Sequence, residues 1–211
     1  MKNLLKRILS SLVLIPLAIS ALWAPVYVKA PILLAVALGC IYELLTMAKE
    51  QRPRHIKALF VGLSYILLGS FALTYVVIGM SPSEALWLMI IVWVTDIMAF
   101  VVGKQLKGPQ FAPRISPKKT WSGFLGGVLS AVCASYIYAQ YFLNGKSNIV
   151  WLSLILSVAV QYGDLLESWL KRSFQVKDSG GIIPGHGGVF DRVDGLLAAS
   201  IVFAVVHLIL V

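Results

Sequence analysis

Glu84–Gly103 reads EALWLMIIVWVTDIMAFVVG, a stretch charged only at Glu84 and Asp96. As a helix it is roughly 30 Å long, enough to cross the hydrocarbon core of a bilayer. Working outward, comparable apolar runs occupy about 5–24, 26–48, 57–79, 121–142, 148–170 and 195–211. The last is short as drawn and is expected to begin nearer Asp191. The chain is 59% hydrophobic and 13% charged over 211 residues, far more apolar than soluble domains. The expected fold is therefore all-α: a polytopic membrane bundle of about seven transmembrane helices in one domain.

Orientation follows from the basic residues, because cytosolic loops collect Lys and Arg. With the N-terminus in the cytosol, only Lys29 and Lys146 of the 18 Lys and Arg residues fall outside. Loops 104–120 and 171–194 then face the cytosol. The first run follows Lys2, Lys6 and Arg7 as a signal peptide would. It continues through Trp23, shows no small-x-small cleavage site, and is read as a retained helix. The net charge of +9 does not point to nucleic acid, because the cations flank apolar runs where they meet lipid headgroups or phosphorylated substrates. Cys40 and Cys133 lie far apart inside apolar runs and make no metal-ligand pair.

Acids inside membrane helices cost a few kcal/mol on insertion scales, so each needs a partner, a cation or a wet cavity. Asp96 lies mid-segment and Asp164 about two turns from a cytosolic helix end. Asp164, Ser168 and Lys171 fall at i, i+4 and i+7, on one helical face. Glu167 and Lys171 form an i, i+4 pair readable as helix support. Asp191 and Asp194 share a face where the last helix starts. Asp191 suits helix capping; converging carboxylates from different helices also suit Mg²⁺, and metal binding by Asp164, Asp191 and Asp194 is the favoured reading.

Between those helices, Gly180-Gly181 and Gly185-His186-Gly187-Gly188 permit sharp turns and can offer N–H groups to an anion. Lys171, Arg172, Lys177 and Arg192 supply cations for phosphate oxygens. In the other loop, Ser116-Pro117-Lys118-Lys119-Thr120 puts two lysines and flanking hydroxyls at a helix start, suiting either a phosphate ligand or anionic lipid. Gly103 to Gly108 mimics half a P-loop, but Pro109-Gln110 replaces the required Lys-Ser/Thr. Gly123-x-x-x-Gly127 reads as a close-packing face, and His207 as a packed residue.

The string Ser168-x-x-Lys171-Arg172-x4-Lys177-Asp178-x-Gly180-x3-Pro184-Gly185-His186-Gly187-Gly188-x2-Asp191-Arg192-x-Asp194 resembles the signature of phosphatidate cytidylyltransferases. Gly163-Asp164-Leu165, Ser116 to Trp121, and Asp96 followed by Gly103 resemble further family features. The resemblance covers about 96–195 and is thin before it. It divides the chain into N-terminal membrane helices at 1–83, shortened relative to familiar members of eight or nine helices, and a catalytic membrane region at 84–211.

The resemblance implies cytidylyl transfer from CTP to phosphatidate, giving CDP-diacylglycerol and pyrophosphate, with Mg²⁺ and room for a second cation such as K⁺. It implies catalytic roles for Lys171, Arg172, Lys177, Asp178, His186 and Arg192. Substrate contacts would come from Ser116, Lys118, Lys119, Thr120, Ser168, Gly187 and Gly188. The expected partners are CTP, phosphatidate and membrane lipids, with a homodimer allowed, in the cytoplasmic membrane of a bacterium. Two other readings stand beside it: a CTP-dependent lipid kinase, and a cation-coupled transporter using Asp96 and Asp164. Transporters tend to carry inverted repeats, which are not apparent here.

Overall fold

Six helices among the described residues are long and apolar enough to cross a membrane, and the protein is an integral membrane protein. The computed structural model describes residues 15–49, 56–143, 148–182 and 187–210. Helix α1 covers 15–22 and is followed after a turn by α2, Val26–Lys49. Helix α3, Ile56–Thr74, ends in a widened π-helical turn at Tyr75–Gly79. Then come α4 (Pro82–Leu106), α5 (Trp121–Phe142), α6 (Ile149–Ser173) and α7 (Phe190–Leu210). The all-α expectation holds. The last helix starts at Phe190, beside Asp191 as the charge pattern suggested.

Helix α4 starts where its sequence says it should. Ser81 and Glu84 form a reciprocal capping box and Pro82 occupies the first turn, where its missing N–H costs nothing. Beyond its other end, loop 104–120 holds an element the sequence reading did not anticipate. Strand β1 (Gln110–Ala112) pairs antiparallel with β2 (Ser116–Thr120), so Lys118 and Lys119 sit on a short strand that runs directly into the start of α5. Gly108, at φ +112, takes the left-handed turn between α4 and the hairpin. Thr120 then caps α5, its hydroxyl accepting from the Gly123 N–H at 3.2 Å.

The helix interfaces use small and polar side chains, while large apolar ones face outward. Phe60, Phe71 and Leu129 are exposed, which suits a lipid-facing surface, since lipid is as apolar as leucine. Inside, Thr95 pairs with Ser157 at 2.7 Å, and Trp87 Nε1 donates to Ser135 at 2.6 Å. The Gly123/Gly127 face packs as expected: added Cβ atoms would lie 2.6 Å from the Ala99 carbonyl oxygen and 2.9 Å from that of Thr95. This close contact holds α4 against α5 and so fixes the hairpin between them.

Two buried clusters form the core. One centres on Leu88, Ile91, Leu156 and Phe203. The other gathers Leu44, Ile66, Leu170, Phe174, Phe190 and Leu197 from α2, α3, α6 and α7. The second includes Leu170 and Phe190, the chain neighbours of Lys171 and Asp191 described next. Lys29 is buried, and its ammonium donates to the Val77 carbonyl at 3.1 Å, at the end of the bundle away from the hairpin.

Candidate active site

Helical spacing brings Asp164, Glu167 and Lys171 of α6 toward Asp191 and Asp194 of α7. With Asp96 of α4 they line a cavity of about 180 Å³. Oxygens of Asp164, Glu167 and Asp194 lie within 4.8 Å of one another. Gly163 makes this approach possible: an added Cβ would sit 2.8 Å from the Asp194 carbonyl oxygen. The same carbonyl accepts the hydroxyl of Tyr65 from α3.

Two lysines meet these acids. Lys171 Nζ bridges Glu167 Oε2 at 2.7 Å and Asp191 Oδ1 at 2.8 Å. Lys119 Nζ reaches Asp164 Oδ2 at 2.6 Å. Glu167 is 2% exposed and its other oxygen, Oε1, is buried without a hydrogen-bond partner among the described residues. A buried anionic oxygen left bare is costly. A trio of carboxylates containing one has the chemistry of an all-oxygen site for a hard divalent cation such as Mg²⁺.

Asp191 is engaged differently. Its Oδ2 accepts the N–H groups of Gly188 at 3.0 Å and Ser179 at 3.4 Å, while its Oδ1 takes Lys171. The Gly188 N–H is thus turned onto the protein's own carboxylate. Gly187, at φ +82, makes the turn that allows it. Asp191 borders the cavity, yet Glu167 rather than Asp191 completes the close trio.

A second and larger cavity, about 460 Å³, opens beside the first and shares Asp96 and Asp164 with it. Its walls come from α4, the hairpin, α5 and α6. Lys104, Lys118 and Lys119 provide positive charge; Phe100, Phe111 and Phe124 provide apolar surface. Phe111 packs on Trp121 and Phe124, with ring centroids 4.5 and 4.8 Å apart. Gln161 reaches the same space, its amide donating to the Phe124 carbonyl at 3.1 Å.

Of the residues singled out in sequence, Lys118, Lys119 and Thr120 line this larger cavity, and Asp164, Lys171, Asp191 and Asp194 the acidic one. Ser116 is opposite Ala112 in the hairpin and lines neither cavity. Ser168 is half-buried and also lines neither; Glu167, one position earlier, takes the place expected for it. Arg172, Lys177, Asp178 and Arg192 are exposed around the connecting segment, outside the lining of both cavities. His186 lies outside the described residues.

Sequence reasoning passed over Glu167, Gln161, Phe111 and Phe124 as site residues. Glu167 had a legible signal, three positions after Asp164, but its pairing with Lys171 was read as helix support. It also passed over Glu43 of α2, which is 1% exposed and touches the segment between α6 and α7.

Comparison with known proteins gives the family. The family described as "Cytidylyltransferase family" matches residues 59–210. A phosphatidate cytidylyltransferase of Brucella abortus is 43% identical, over 77% of this chain and 60% of its own length. The chain thus spans about three fifths of that relative's length. One from Rickettsia felis is 40% identical over 96% of this chain and 92% of its own. Another, from Rickettsia prowazekii, is 34% identical over 99% and 94%.

Proposed function

The chain belongs to the cytidylyltransferase family, and from that premise we propose that it transfers a cytidylyl group from CTP to phosphatidate. A phosphatidate oxygen would attack the α-phosphorus of CTP, forming a new P–O bond. The bond to the bridging oxygen breaks, and pyrophosphate leaves with its electron pair. The products are CDP-diacylglycerol and pyrophosphate.

The attacking phosphate is ionised near neutral pH, so the reaction needs no strong general base. Its obstacle is the approach of two anions, which fixed cations relieve by neutralisation and alignment. The observation that carries the reading is the join between the two cavities, where Lys119 contacts Asp164. It sets a phosphate-attracting pocket against a carboxylate trio. Asp164, Glu167 and Asp194 would hold Mg²⁺, with Asp191 and Asp96 at its edge; the bound ion would supply charge neutralisation on the phosphates. Lys119 and Lys171 hold the surrounding carboxylates in place and present positive charge to the phosphates. Lys104 and Lys118 draw anionic substrate to the larger cavity.

The bacterial relatives and the distribution of basic residues support a place in the bacterial inner membrane, with this end of the bundle in the cytosol. Purified protein in mixed micelles with phosphatidate, CTP and Mg²⁺ should release pyrophosphate and form CDP-diacylglycerol one for one, by mass spectrometry. Appearance of CDP with a lipid bearing one more phosphate would instead mean a kinase.

A further inference from the structure

Glu43 stands six residues before α2 ends at Lys49, upstream of the stretch that the family match covers. Its carboxylate is buried, and it spans the start of α7 from a different helix. Oε1 accepts the Val189 N–H at 2.9 Å; Oε2 accepts the Phe190 N–H at 2.9 Å and the Ser179 hydroxyl at 3.2 Å. The first N–H groups of a helix have no partner within it and carry partial positive charge. Helices usually satisfy them with a side chain of their own preceding residues. Here the preceding residue is Val189, which offers none, and a glutamate far away in the chain supplies both oxygens.

The glycines of the connecting segment fit this arrangement. A Cβ on Gly180 would lie 2.8 Å from Glu43 Oε1 and 2.9 Å from both Cδ and Cγ. A Cβ on Gly188 would overlap the same carboxylate and the Ser179 hydroxyl. Both glycines therefore leave the space that Glu43 fills. In addition, Ser179 and Gly188 donate through their backbone N–H groups to Asp191. One buried carboxylate thus holds the segment and the α7 start together, and α7 carries Asp191 and Asp194 into the acidic cavity.

We infer that Glu43 is a positioning residue of the active site: it caps α7 across the bundle and sets where Asp191 and Asp194 stand. This rests on the proposed cytidylyl transfer for its kinetic readout. It also gives the N-terminal helices a task in the chemistry, through one hydrogen-bonded carboxylate.

The test uses full-length protein with Glu43→Gln, Glu43→Ala, Gly180→Ala and the double variant Glu43→Ala/Gly180→Ala, each checked for monodispersity in detergent. Outer-shell partners of metal ligands typically cost about 10–100-fold in affinity or activity when removed. Glu43→Ala should fall in that range for kcat, with a higher Mg²⁺ concentration for half-maximal rate and faster amide exchange at 187–191. Glu43→Gln should be intermediate, since its amide oxygen can still accept from one N–H. Gly180→Ala should raise the Mg²⁺ requirement in wild-type background, but add nothing to Glu43→Ala, because the atoms it meets are gone.

Folded Glu43→Ala with wild-type kcat, Mg²⁺ requirement and exchange would overturn the inference, as would additive costs in the double variant. If Glu43→Ala does not fold, Glu43→Gln carries the test: wild-type kcat, Mg²⁺ requirement and amide exchange at 187–191 in that variant would also overturn the inference. Absence of cytidylyl transfer by the wild type refutes the proposed function; the exchange measurement then decides the inference alone.

Discussion

Lys119 Nζ lies 2.6 Å from Asp164 Oδ2, joining the β-hairpin to the membrane helix α6. Asp164 lines both cavities and Lys119 the larger one, so the contact lies where the two anionic substrates would have to meet. Lys119→Ala should therefore lower kcat/KM about 100-fold, in line with loss of one preorganised electrostatic group. Lys119→Arg should recover part of it. Steady-state kinetics against CTP and phosphatidate check this, and unchanged kcat/KM would remove Lys119 from the site.

Asp164, Glu167 and Asp194 form the close carboxylate trio. Chelation of divalent cations should abolish turnover and Mg²⁺ should restore it. Asp164→Asn, Glu167→Gln and Asp194→Asn should each reduce kcat by about 10³-fold or more, the scale of a lost electrostatic contribution of some 4 kcal/mol. A near-normal rate for Glu167→Gln would return it to the status of helix support.

Lys171 holds two acids at once, and its side chain is 15% exposed against 3% for that of Glu167. Removing it leaves buried carboxylates opposed. Lys171→Met should destabilise the protein by about 3–5 kcal/mol. Lys171→Met/Glu167→Gln should recover part of that loss, because the charge left bare is neutralised. Unfolding in detergent, followed by circular dichroism, measures both; strict additivity would contradict the coupling.

Gly127 sits where a Cβ would meet the Thr95 carbonyl oxygen at 2.9 Å and the Ala99 Cβ at 3.1 Å. Gly127→Val should cost about 1–3 kcal/mol by overpacking and loosen the hairpin that α4 and α5 hold. A lower melting temperature together with a raised KM is the expected pair of results. Full stability would show that the two helices can part without consequence.

The membrane helices were legible because a span demands a long uncharged run, and such runs stand out against any background. The start of α7 was legible because Asp191 marks it. The hairpin was not: its strands are only three and five residues long, Pro117 interrupts the second, and no alternating pattern can build up over so short a stretch. Half of the acidic site could be read from helical spacing, which places Asp164 on one face with Lys171. The choice between Ser168 and Glu167 depended on how α6 is rotated against α7, which packing at Gly163 and Gly195 decides. Glu43 could not be paired with Val189 and Phe190 by any local rule, since only the tertiary fold brings α2 to the start of α7.

The measurement that bears most directly on the central claim is transfer from CTP labelled at either the α or the γ phosphorus to phosphatidate by the purified protein with Mg²⁺. Cytidylyl transfer predicts lipid labelled from the α position alone, with the γ label recovered as pyrophosphate. Lipid labelled from the γ position, with the α label left in CDP, would contradict it.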